Sequence, residues 1–141
     1  MQNVKKTYNL FLDDIRTPQD AFGYTGKKMF VTELWEIVRN FNEFVYCIEH
    51  NWEESQTFPS IISFDHDLAD EHYGADVNND FKEYTGKDCA NWLCNYCMDK
   101  DIRLCSYYCH SMNPVGRENI VSLLDNFNLL QENEINFEKN S

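Results

Sequence analysis

The stretch Ser60-Ile-Ile-Ser-Phe-Asp65-His66-Asp67 constrains this chain most. Residues 61–64 read as a buried strand, and that strand runs directly into two carboxylates and an imidazole. Two other segments have the same form. Tyr8-Asn-Leu-Phe-Leu12 ends in Asp13-Asp14, and Arg103-Leu-Cys-Ser-Tyr-Tyr-Cys109 ends in His110-Ser111. In an open parallel α/β sheet the carboxyl ends of neighbouring strands form the binding crevice. If the three strands are neighbours, Asp13, Asp14, Asp65, His66, Asp67 and His110 meet in one place.

The remaining pattern supports such a sheet. Residues 4–12 read as the first strand. Residues 19–28 contain Gly23 and Gly26 and show no helical period, so they read as a long surface loop. Residues 34–38 read as a second strand, with a helix as the open alternative. Asn40 or Asn42 caps a helix whose face is Phe41, Phe44, Val45, Ile48 and Trp52. Residues 53–58 read as a loop, and Pro59 marks the start of the third strand. Residues 68–83 are acidic and irregular. A calcium loop fails there because Asp70 stands where the loop requires glycine, so the segment reads as a lid or insertion beside the crevice.

Thr85-Gly-Lys-Asp88 resembles a capping box and opens a helix carrying Cys89, Trp92, Leu93, Tyr96 and Cys97 on one side. Residues 103–109 form the fourth strand. Asn113 then caps a last helix, with Pro114 at its first position and a stripe of Ile120, Leu123, Leu124, Phe127 and Leu130. The expectation is one domain, 1–131, with a polar, frayed tail at 132–141. The order β-β-α-β-α-β-α gives an α/β fold. Right-handed crossovers arrange its mostly parallel sheet as 2-1-3-4 with helices on both faces.

Charge and cysteine content narrow the function. A net charge of −12 argues against broad binding to a nucleic-acid backbone, but leaves room for a small phosphorylated ligand held by placed arginines. No apolar run approaches ~18 residues, so no membrane span is expected. The N-terminus lacks the apolar core of a signal peptide, which points to a cytoplasmic protein. Its six cysteines then read as reduced thiols in the core. Cys94-x-x-Cys97 falls inside a helical segment, and no common zinc spacing includes Cys105, Cys109 or His110.

The crevice residues suggest three kinds of chemistry. Asp13, Asp14, Asp65 and Asp67 cannot all be ionised together without counter-charge. Either a divalent cation such as Mg2+ or Mn2+ sits among Asp13, Asp14 and Asp65, or some of these carboxylates bond to backbone N–H groups instead. His66 and His110 suit acid–base work near neutral pH, or metal ligation. In Ser111-Met-Asn113-Pro-Val-Gly-Arg117, a helix N-terminus, a hydroxyl and a guanidinium together suit a phosphate, and Arg16 can approach it from the other side.

These motifs form a recognisable set. Leu-Phe-Leu-Asp13-Asp14-x-Arg16-x-Pro18, Ser63-Phe-Asp65-His66-Asp67-Leu68, Thr85-Gly86-x-Asp88, Trp92-Leu93 and His110-Ser111-x-Asn113-Pro114-x-Gly116-Arg117 resemble the cyclic-phosphate-processing receiver-like family. The resemblance covers about residues 8–125. It implies a receiver- or flavodoxin-like three-layer fold and a role on cyclic phosphates of small nucleotides or ADP-ribose derivatives. Signalling receivers use an acidic pair, a phosphoacceptor Asp, a Ser/Thr and a Lys after a fifth strand. Here Asp13-Asp14, Asp65 and Ser111 fall at similar places, without a clear fifth strand and its Lys. The resemblance therefore implies a metal-assisted or His-based cyclic phosphodiesterase. Its catalytic residues would be Asp65, His66, Asp67 and His110, and its phosphate ligands Arg16, Ser111, Asn113 and Arg117. A non-catalytic module for a phosphorylated nucleotide and a phosphoacceptor receiver are the alternatives.

Overall fold

The computed structural model of the chain describes residues 4–68 and 84–140. Its first strand, β1 (Lys5–Leu12), leads into two short helices, α1 (Pro18–Thr25) and α2 (Met29–Thr32). There follow β2 (Glu36–Val38), α3 (Phe41–Ser55), β3 (Thr57–Phe64), α4 (Gly86–Lys100), β4 (Ser106–Cys109) and α5 (Pro114–Lys139). All pairings are parallel and the strand order is β2-β1-β3-β4, the order expected from right-handed crossovers.

Strand alternation divides the core in two. Leu10, Leu12, Ile62, Phe64 and Cys109 face the side covered by α3, α4 and α5, where Phe44, Ile48, Leu93, Ile120 and Leu124 are fully buried. Phe11 faces the opposite side, against Ala21 and Phe30 of α1 and α2, with Trp35 and Tyr108 at its margin. One face therefore carries three long helices and the other only a thin cover.

Several local expectations change. The segment 19–28 is largely helical, because Thr17 and Asp20 make a reciprocal capping box, Pro18 occupies the first turn and Gly26 closes the helix at φ 69°. The element order is thus β-α-α-β-α-β-α-β-α. The third strand starts before Pro59. That proline sits where β3 shifts register against Tyr8, which is where a strand tolerates a residue without N–H.

At the other end α5 continues to Lys139 and is not frayed from Gln131. Gln131 is buried. Its side chain accepts from the Leu104 N–H at 2.9 Å and donates to the Ile102 carbonyl at 3.0 Å. All cysteines are free thiols and five are buried, which agrees with the core reading. The lid reading of residues 68–83 lies, beyond Leu68, outside the described residues. Among the described residues no helix is long and apolar enough to cross a membrane.

Candidate active site

Backbone bonds set three residues in one row. The Asp13 N–H donates to the last carbonyl of β2, Val38, at 3.1 Å. The Asp65 N–H donates to Leu12 at 2.9 Å and the His110 N–H to Phe64 at 3.0 Å. Each residue sits one position past its strand end, in register with the others. The pleat continues through that position. Because Leu12, Phe64 and Cys109 face the thick side, the next residues face the thin one, and Asp13, Asp65 and His110 converge there. Their ligand atoms lie within 4.8 Å of one another, and all three residues are buried.

His110 is held from every direction. Its ring stacks on Phe11 with centroids 4.3 Å apart and planes 7° apart, and Phe30 meets its edge. Nε2 lies 2.9 Å from Oδ2 of Asp13, and Nδ1 lies 2.7 Å from Oγ of Ser63. A carboxylate only accepts, so Nε2 carries the proton and Nδ1 accepts from the serine hydroxyl. Burial lowers the His110 pKa, although Asp13 opposes the shift, and the ring is neutral at pH 7.

Asp13 and Asp65 are neighbours with opposite fates. Burial disfavours charge on both. At Asp13 it is outweighed by the His110 hydrogen bond and by the N–H groups of Arg16 (2.8 Å) and Ile15 (3.0 Å), which hold the carboxyl down to about 2. Asp65 accepts from the His66 N–H at 2.9 Å, but burial and the Asp13 charge push its carboxyl up to about 7. Asp14 is half-buried. Burial raises its pKa, as do the charge and hydrogen bond of Asp13, and it is not part of the close group.

The other expected residues take different positions. β3 ends at Phe64, so His66 and Asp67 lie beyond the pleat. Nδ1 of His66 is 2.8 Å from the Asp67 carboxylate and carries the proton, which leaves a lone pair on Nε2. That bond, aided by Asn113, holds the Asp67 carboxyl below its ordinary value despite some burial. Asn113 Nδ2 donates to Asp67 at 3.1 Å while its Oδ1 caps α5 through the Gly116 N–H. Asn113 therefore braces the His66–Asp67 pair and the helix start; its polar atoms are taken.

Two glycines are explained by close approach. A methyl group on Gly86 would overlap the backbone carbonyl of Asp65, and one on Gly116 would overlap the His66 ring. Gly86 also donates its N–H to the His66 carbonyl at 2.7 Å. The starts of α4 and α5 thus press against the Asp65-His66 corner.

The arginines flank one short loop. Arg16 Nη2 reaches Sδ of Met112 at 3.4 Å, its Nη1 lies 3.7 Å from Asp13, and its guanidinium stands over the Tyr24 ring at 5.4 Å. Arg117 Nη1 donates to the Ser111 carbonyl at 3.3 Å. The Ser111 hydroxyl accepts from the Asn113 N–H. Ser111 and Arg117 line a cleft of about 330 Å³ together with His110 and Tyr108, and Arg16 touches two more of its lining residues, Tyr24 and Met112.

Ser63, Tyr24, Tyr108 and Arg39 were missed from the sequence. Ser63 had a usable signal, being a polar residue in an otherwise apolar buried strand. Arg39, which clasps the carbonyls of Asp13 (3.1 Å) and Arg16 (2.7 Å), had none.

A parallel sheet in this order, with an acidic group at the ends of β1 and β3, defines a receiver-like α/β domain. The family model described as the cyclic-phosphate processing receiver domain matches residues 8–126, and the chain belongs to that family. No match was found among curated proteins or among solved structures.

Proposed function

We propose that this domain hydrolyses a cyclic phosphate on a small nucleotide-type ligand. The observation that carries the reading is the unequal carboxyl pair: Asp13 held down to about 2 beside Asp65 pushed up to about 7. Neighbouring titratable groups driven apart in this way divide acid and base roles. Membership in a cyclic-phosphate processing family supports the substrate class.

Ring opening forms a bond from phosphorus to a water oxygen and breaks one phosphorus–sugar oxygen bond. The water gives up a proton and the departing sugar oxygen gains one. His66, oriented by Asp67, accepts the water proton on Nε2. Asp65, with its carboxyl pushed up to about 7, supplies the proton to the sugar oxygen from its protonated fraction at neutral pH. His110 has both ring nitrogens engaged, so it acts by holding Asp13 rather than by touching the ligand. Arg16, Ser111 and Arg117 bind the phosphate oxygens.

Asp13 and Asp65 also suit Mg2+ or Mn2+. They are hard oxygen donors buried side by side, and burial together with the Asp13 charge pushes Asp65 up. When bound, such a cation neutralises developing phosphoryl charge. It would also keep Asp65 ionised, leaving His66 as the acid–base group.

The test is turnover of a panel of cyclic-phosphate nucleotides with and without Mg2+ or Mn2+. Activity lost in Asp65→Asn and His66→Ala supports the reading. No turnover under any condition overturns it, and tight binding of the unaltered nucleotide would then favour a binding module. The position of Asp65 directly after β3 favours one other reading, a phosphoacceptor. Labelling of Asp65 by acetyl phosphate would support that one.

A further inference from the structure

The cleft beside the acidic group has more than a phosphate grip. Its walls include Tyr24, Thr25, Tyr108, Ser111, Met112 and Arg117. The Tyr24 hydroxyl donates to the His110 carbonyl at 2.6 Å, so that ring is tied to the end of β4 and cannot swing away. Tyr108 packs against Phe30 with centroids 5.9 Å apart and planes at 62°. Two aromatic rings are thus fixed against the row that holds Asp13, Asp65 and His110.

Basic side chains gather at the cleft, next to the acidic row. The chain carries 24 acidic and 12 basic residues. Three of those basic residues converge here. Arg16 stands over the Tyr24 ring, Lys27 over the Tyr108 ring, each at 5.4 Å, and Arg117 lines the cleft itself. Arg117 and Lys27 offer cationic groups to an anion here, while Arg16 is shared with the Asp13 carboxylate 3.7 Å away. The larger groove of about 500 Å³ along the β2 edge has the opposite character, since Glu33 and Glu36 line it. A volume of about 330 Å³ falls at the lower end of small-molecule sites, ~300–1,000 Å³.

We infer that this cleft is a nucleobase subsite, in which the base of the ligand stacks on Tyr108 and Tyr24 while its phosphate meets Arg117 and Arg16. The inference rests on the hydrolase reading for the placement of the phosphate and adds what that reading lacks, a reason to prefer a nucleotide over a bare sugar phosphate. Sequence-tolerant stacking on aromatic rings is the usual way to hold a base without reading it. Tyr108 is the specificity-determining residue, because it lines the cleft from β4 and packs against Phe30. Tyr24 shapes the far wall.

The experiment measures binding by calorimetry, independently of turnover. Adenosine monophosphate and ribose phosphate are titrated into the full chain and into Tyr108→Phe and Tyr108→Leu. The nucleotide is expected to bind at least about tenfold tighter than the sugar phosphate. Tyr108→Phe keeps that ratio. Tyr108→Leu brings it near unity while leaving ribose phosphate binding intact, which also shows that the variant is folded. Equal affinities in the unmodified protein, a ratio unchanged in Tyr108→Leu, or no nucleotide binding would each overturn the subsite. A protein that shows the expected ratio yet turns over no cyclic phosphate keeps the subsite and loses the hydrolase reading. Turnover with equal affinities does the reverse.

Discussion

Nε2 of His110 and Oδ2 of Asp13 lie 2.9 Å apart although ninety-seven residues separate them, and neither side chain is exposed to solvent. The bond joins the end of β4 to the end of β1 across β3. It decides which carboxyl of the site stays ionised, because the imidazole N–H serves Asp13 and not Asp65.

Asp65 makes the folded state sensitive to pH in an unusual direction. Its folded pKa of about 7 lies above the ordinary 3.8, so the folded chain binds the extra proton. Folding stability therefore falls as pH rises between those values, and the loss is complete above about 7. The span corresponds to about 4 kcal/mol. Denaturant titrations from pH 4 to 8 are expected to show Asp65→Asn more stable than the parent at pH 8, with the gap closing towards pH 4. An equal gap at both ends would contradict the assignment.

Asp13 acts oppositely, since its folded pKa of about 2 lies below 3.8 and its contribution is lost only as pH falls through that interval. Removing its partner is expected to be costly. His110→Ala leaves Oδ2 of the buried Asp13 without its imidazole donor and opens the space against Phe11, a loss of about 3–5 kcal/mol. Ser63→Ala removes one hydrogen bond to Nδ1 and costs about 1–2 kcal/mol. Thermal melts of the two variants check the ranking, and a Ser63→Ala loss equal to that of His110→Ala would refute it.

Gly86 and Gly116 separate fold from chemistry. A methyl at Gly86 meets backbone at Asp65, which cannot yield, so Gly86→Ala is expected to lose about 1–3 kcal/mol or more of stability. At Gly116 the obstacle is the His66 side chain: turning it clears Cγ and Nδ1, and a small backbone shift clears Cβ. Gly116→Ala is expected to lose less stability than Gly86→Ala and at least about tenfold in turnover, since misplacing a reacting group by an ångström suffices for that. Unfolding and turnover measured on both variants test the contrast.

Gln131 anchors the far end of the molecule. Gln131→Ala leaves the Leu104 N–H and the Ile102 carbonyl without their partner inside the protein, for a loss of about 2 kcal/mol. Chain truncation before residue 131 is expected to do the same. A melting temperature unchanged in both variants would show that α5 stabilises the sheet without this anchor.

Much of the architecture was legible locally. The apolar runs ending at Leu12, Phe64 and Cys109 and the cap at Asn113 are short-range signals, and they were enough to order the sheet. The α1 helix was missed because eight residues with an interior Gly23 carry little apolar period, although Thr17-Pro18-x-Asp20 already spelled its start. Gln131 was missed because polarity was taken as exposure; a glutamine satisfied on both ends can be buried.

Which residues stand at the strand ends can be read along the chain, because a strand end is a local event in a pattern of period two. What each of them does follows from the folded arrangement. Asp13 and Asp65 have the same side chain and equivalent positions in the row, yet one is held near 2 and the other pushed to about 7. Likewise His110 is sealed between Asp13 and Ser63, while His66 keeps a lone pair at Nε2. Protonation depends on burial and on the charges and donors within a few ångströms, and those neighbours come from strands and helices far apart along the chain.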